Sequence, residues 1–141
     1  MSATRADLNN VFGNFNITRW ADVSNNADEE EITLRVEYAL ALALEEVKAK
    51  LRLLTYVVDD AIELPLVIHA TCQRAGDILY APRAVSDEDP DKDLMSIHRK
   101  QYANFFKQIG AGQLDLGIPR RSRPYPKVEQ DAIQSSIVTG Y

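Results

Sequence analysis

Residues 28 to 54 limit the fold more than any other part of this chain. Asp28, Glu29, Glu30 and Glu31 crowd one end, and behind them Ile32, Val36, Ala39, Leu40, Ala43, Leu44, Val47, Leu51 and Leu54 recur in steps of three and four. That spacing winds the apolar side chains into one stripe of a helix about six turns long. The acidic cluster falls where negative charge meets the positive end of the helix dipole. Arg35, Glu45, Glu46, Lys48, Lys50 and Arg52 take the other faces. A helix with one apolar side is stable only when other elements cover that side, so it is expected to be the central strut of an all-α fold. Leu44 lies mid-stripe, and Leu44→Asp is expected to unfold the bundle by placing an unpaired charge inside it.

The neighbours can be read from shorter signals. Ser2 is placed to cap a helix from Ala3 to Phe12, with Leu8, Val11 and Phe12 on its apolar side and Gly13 as its stop. Asn14 to Val23 carries Phe15, Ile17 and Trp20 and is expected to be a loop held by aromatics, followed by a turn at Ser24-Asn25-Asn26. Thr55 to Glu63 connects the long helix to a third, which Pro65 opens and whose stripe is Leu64, Ile68, Cys72, Ala75 and Leu79. Pro82 follows its end. Residues 86 to 93 form an acidic loop whose last aspartates are expected to cap a fourth helix. That helix carries Leu94, Ile97, His98, Gln101, Tyr102, Phe105, Phe106 and Ile109 on a broad inner side and stops at Gly110. Leu114 and Leu116 point the same way if Gln113 to Gly117 is extended. The expectation is a compact bundle of about four helices over residues 1 to 117.

The chain changes character at Ile118. Pro119, Pro124 and Pro126 stand among arginines, which excludes helix and favours a polyproline-like path. Val128, Ala132, Ile133, Ile137, Val138 and Tyr141 follow, too few apolar residues for a second core. Residues 118 to 141 are therefore expected to be an extended arm that finds its surface on another chain. Its candidate contact residues are Arg120, Arg121, Arg123, Tyr125, Ile133, Ile137, Val138 and Tyr141. The net charge of −5 divides unevenly: the arm has four basic and two acidic residues, net +2, and the rest has 12 and 19, net −7. Opposite signs on arm and body favour contact between subunits.

Catalytic and metal constellations are thin. His69 and Cys72, three apart on one helix, have a ligand spacing, but His98 is the only other histidine and there is no second cysteine. Cys72 falls on an apolar stripe, where a lone cysteine serves as a small core residue. A Cys72/His98 nucleophilic pair lacks an oxyanion turn and an orienting group. The acidic run at residues 87 to 93 has no calcium-loop glycine or closing glutamate, and Pro90 interrupts it. There is no phosphate loop, dinucleotide glycine pattern or zincin motif. The expectation is a protein without enzymatic activity, cofactor or metal. The apolar stretches are broken by charge too often to span a bilayer, the N-terminus lacks a secretory apolar run, and a single cysteine suits a reducing cytoplasm.

Taken in order, these residues form a pattern. A helix closing in Phe12-Gly13 precedes Ile17 and Trp20. Then come the long helix with alanines at 39, 41 and 43 and Glu45-Glu46, Tyr56, and Leu64-Pro65. Ala70-Thr71-Cys72, Ala75, Leu79-Tyr80, Ile109-Gly110-Ala111-Gly112 and Leu114-Asp115-Leu116 complete it. Over residues 3 to 117 this resembles the small head–tail connector, or adaptor, proteins of Mu-like and related tailed bacteriophages. The resemblance implies a virion neck protein, made in the host cytoplasm. It would form a ring, commonly of about twelve subunits, beneath the portal protein. Such a ring extends the DNA channel, lets the genome pass without sequence-specific binding, and docks the next neck or tail component. The other reading of the residues is a helical protein-binding module whose C-terminal tail captures a partner.

Overall fold

A computed structural model describes residues 2–83 and 89–120. The described residues form an all-α bundle of six α-helices and one 3-10 turn: α1 (Arg5–Phe12), α2 (Asn14–Ala21), α3 (Glu29–Leu53), α4 (Val58–Ala61), α5 (Pro65–Tyr80), the turn Ala81–Arg83, and α6 (Lys92–Gly110). Two short helices, α2 and α4, thus join the four expected. The remainder of the arm, from Arg121, lies outside the described residues.

The cap of α1 is Thr4 rather than Ser2. Its hydroxyl accepts from the Asp7 N–H, and the Asp7 carboxylate accepts from the Thr4 N–H, a reciprocal capping box. Gly13, at φ +90°, both ends α1 and begins α2. The expected loop over residues 14 to 23 is therefore mostly helix. Ile17 and Trp20, three apart, turn inward together, while Phe15 is 76% exposed. Of the two aromatics expected to anchor this stretch, Trp20 does so, on a helical turn, and Phe15 does not.

In α3 the acidic start is capped by Asp28, whose carboxylate accepts from the Glu30 N–H. The buried residues are Ile32, Val36, Ala39, Ala43, Val47 and Leu51. The stripe is narrower than expected, because Leu40, Leu44 and Leu54 are only half-buried. Leu44→Asp therefore strikes the edge of the stripe, not its centre.

The central element is α5, which packs against α1, α2, α3 and α6. Its buried set, Val67, Ala70, Thr71, Cys72, Gln73, Ala75, Gly76, Leu79 and Tyr80, runs around most of the helix. Small residues make this possible. A Cβ on Gly76 would stand 2.1 Å from the Phe12 ring, so only glycine lets α1 lie this close. Val67 and Ala70 share a cluster with Val47 and Leu51, whereas Cys72 to Tyr80 share another with Ile32 to Ala43. Hence α3 and α5 are antiparallel. Met95 joins the cluster of Ile32 to Ala43, and Phe106 and Ile109 that of Val47 and Leu51, so α6 runs parallel to α3.

The cap expected from the last aspartates is replaced by a tertiary role. Asp91 precedes α6 but makes no side-chain cap. Its carboxylate accepts from Arg19 and from the Trp20 indole at 3.1 Å, tying the start of α6 to α2. Asp89 accepts from the Tyr80 hydroxyl at 2.9 Å. A second strap crosses the middle: Arg74 bonds Glu46 of α3 and Asp77, and Asp77 accepts from Arg99 of α6.

Candidate functional site

Two surfaces at opposite ends of α3 stand out. At its C-terminal end, Thr55 takes φ +68°. The Tyr56 N–H bonds the Leu51 carbonyl and the Thr55 N–H bonds the Arg52 carbonyl, the paired closure that glycine usually makes. A β-branched residue there is strained by about 1 kcal/mol. The turn buries Tyr56 completely. Onto Tyr56 folds the root of the expected arm. The Arg120 guanidinium sits 4.7 Å from the Tyr56 ring centroid and donates to the Tyr56 hydroxyl at 3.3 Å and to the Ile109 carbonyl at 3.4 Å. The two residues also form an antiparallel backbone bridge. Ile118, Leu114 and Leu116 pack on the adjoining cluster, and the Tyr56 hydroxyl donates to Asp115 at 3.3 Å. Of the expected contact residues, Arg120 therefore holds the arm's first turn to its own body. Arg121, Arg123, Tyr125, Ile133, Ile137, Val138 and Tyr141 lie outside the described residues.

At the other end, α2, α3 and α5 diverge around an open groove of about 450 Å³. Its walls are chiefly apolar: Trp20, Leu34, Tyr38, Ile78 and Pro82, with Glu31 at one edge. Leu34 is 63% and Tyr38 67% exposed, and Leu42 continues the row one turn further. The spacing Leu34-Tyr38-Leu42, each four residues from the last, was present in the sequence as a second apolar row beside the main stripe. Glu31 is unusual. One carboxylate oxygen accepts from Ser24 at 3.2 Å and lies 3.6 Å from Arg35, while the other, Oε1, is buried without a hydrogen-bond partner among the described residues.

The residues considered for chemistry are placed elsewhere. Cys72 is buried in the core cluster of Ile32 to Ala43, and burial, with the negative charge of Asp7 adding to it, pushes its thiol up to about 12. The nucleophilic thiolate is thus suppressed at neutral pH. His98 Nδ1 lies 3.1 Å from the Gln73 amide, and its ring is 4.6 Å from the Phe12 ring centroid. Burial first, then the charge of His69, lowers its pKa. His69 is exposed. Among the described residues no group of three His, Cys, Asp or Glu side chains is arranged to hold a metal ion, and no helix is long and apolar enough to cross a membrane.

No protein-family model matches this chain, and no curated protein or solved structure matches it.

Proposed function

We propose that this protein is a structural subunit that assembles into a ring, as the head–tail adaptors of tailed bacteriophages do, beneath a portal and above the next neck or tail component. The observation that carries the reading is the unpaired apolar row Leu34-Tyr38-Leu42 beside the groove, at the far end of α3 from the arm root at Tyr56 and Arg120. A closed ring of identical subunits needs two different surfaces on each copy, one meeting the other on the next. A groove at one end and a chain leaving from the other supply such a pair. Contiguous exposed apolar side chains on a small domain are characteristic of a surface that a partner covers. The −7 body suits a channel for DNA, because it offers no dense positive charge to hold phosphates by counterion release.

The mass of the full chain in solution, alone and mixed with a portal ring, tests this. The expected result is a multi-subunit species that binds the portal. A monomer indifferent to a portal and to its own concentration would instead support a binding module that captures one partner with simple stoichiometry.

A further inference from the structure

We propose that the groove between α2, α3 and α5 receives the Arg123-Pro124-Tyr125-Pro126 segment of a second copy of this chain. The inference deepens the reading of the protein as a self-assembling subunit and rests on it.

The groove and the segment match in chemistry. Prolines alternating with other residues hold φ near −65°, so the segment pays little ordering entropy on binding. Such segments are recognised by grooves walled with aromatic rings, with a carboxylate at the edge to receive a neighbouring arginine. Tyr38, 67% exposed, supplies the ring and Pro82 a flat apolar wall, over a floor that includes the buried Trp20. Glu31 supplies the carboxylate, and its buried Oε1 lacks a donor among the described residues. The Glu31 side chain keeps 30% of its surface exposed, so a guanidinium from Arg123 can pair with the accessible side of this carboxylate. Around it the start of α3 adds Asp28, Glu29 and Glu30, so a segment bearing Arg121, Arg123 and Lys127 meets opposite charge. Arg35, the one cation of the groove wall among the described residues, is turned toward the other Glu31 oxygen.

Reach decides whose arm it is. Arg120 is bridged to Tyr56, next to Leu51 at the end of α3. Glu31 lies twenty residues away along the same helix, a distance of about 30 Å at 1.5 Å per residue. Arg123 is three residues beyond Arg120 and reaches about 11 Å at full extension. With its root on Tyr56, the segment therefore cannot seat Arg123 at the Glu31 end of its own groove. It can do so in the groove of a neighbour, and repeating the contact from copy to copy generates a head-to-tail series that closes into a ring when the rotation allows.

Photocrosslinking of the full chain tests the contact. Copies carrying Tyr125→benzoylphenylalanine, half of them labelled with nitrogen-15, are mixed, irradiated and digested. Cross-links from position 125 to residues 31–39 or to the Pro82 segment, joining peptides of different isotope, are the expected result. Glu31→Lys or Arg123→Glu alone should reduce their yield at least several-fold, and the two together should restore it, with far-UV circular dichroism confirming that each variant is folded. Cross-links confined to single copies, cross-links to another surface, or none at all would overturn the proposal. So would yields indifferent to the two charge changes. Portal binding is a separate readout: cross-linked copies that ignore a portal would sink the neck reading and leave this contact standing, whereas portal-bound rings without the cross-link would do the reverse.

Discussion

Two antiparallel helices, α3 and α5, show what makes an element central. α3 has 25 residues and buries six of them along one narrow stripe, leaving the outer flank with Leu34 and Tyr38 in solvent. α5 has 16 residues and buries nine, including Thr71 and Gln73. Its polar side chains are satisfied internally: the Thr71 hydroxyl bonds the Val67 carbonyl at 2.8 Å, and the Gln73 amide bonds the Gln101 side chain at 2.7 Å. The longer helix is the one with a free face, and the shorter one is enclosed by four neighbours. Length and regular periodicity mark a helix with one partner side. Small residues placed all round, such as Ala70, Ala75 and Gly76, mark the hub, because they let several backbones approach one axis.

The sharpest way to break this comparison is a charge at two adjacent turns of α3. Val47→Asp buries a carboxylate at a position with no exposure and is expected to cost at least about 4 kcal/mol, enough to unfold the chain. Leu44→Asp, at the half-buried edge, is expected to cost about 1 to 2 kcal/mol and leave a folded protein. Urea midpoints that coincide for the two would show that α3 is enclosed after all.

On α5, Gly76→Ala is expected to destabilise by about 2 kcal/mol, since the new methyl overlaps the Phe12 ring. At an exposed helical site the same change gains about 1 kcal/mol, so the sign of the shift in melting temperature reports whether α1 is truly seated on α5. Combining Gly76→Ala with Phe12→Leu should recover part of the loss, and strict additivity would refute the contact.

High pH sharpens the picture of the hub. Burial, then the hydrogen bond to Asp89, raises the Tyr80 phenol to about 12, and burial, then the charge of Glu46, does the same for Tyr102. Both phenols hold their protons in the folded state where the unfolded chain, titrating near 10, has lost them. Their contribution to stability is thus whole below pH 10 and disappears as pH rises toward about 12. Denaturant midpoints that stay flat across that window would contradict the burial. The smallest effect is expected at the end of α3: Thr55→Gly relieves the positive φ and should stabilise by about 0.5 to 1 kcal/mol, read as a small rise in melting temperature.

Much of this was legible in the residues and some was not. The stripe of α3, the start of α5 at Pro65 and the core role of Cys72 follow from spacing and residue type alone. α2 was hidden because eight residues offer only two inward positions, Ile17 and Trp20, and a spacing of three suits a turn as well as a helix. The groove was missed for a related reason. Leu34, Tyr38 and Leu42 repeat every fourth residue, but beside a stronger stripe on the same helix they pass for ordinary surface residues until the neighbouring helices are seen to diverge.

Sequence by itself determined that the described residues form an all-α bundle, because helices bury stripes repeating in steps of three and four. It also shows a change of composition near Ile118, where three prolines gather among arginines. Tertiary structure alone decided which helix is the hub, that Asp91 serves α2 rather than its own helix, and that Arg120 closes onto Tyr56. Each of these joins residues from 64 to 72 positions apart in the chain or depends on how many helices meet at one axis. Local spacing carries no record of such distances; packing sets them.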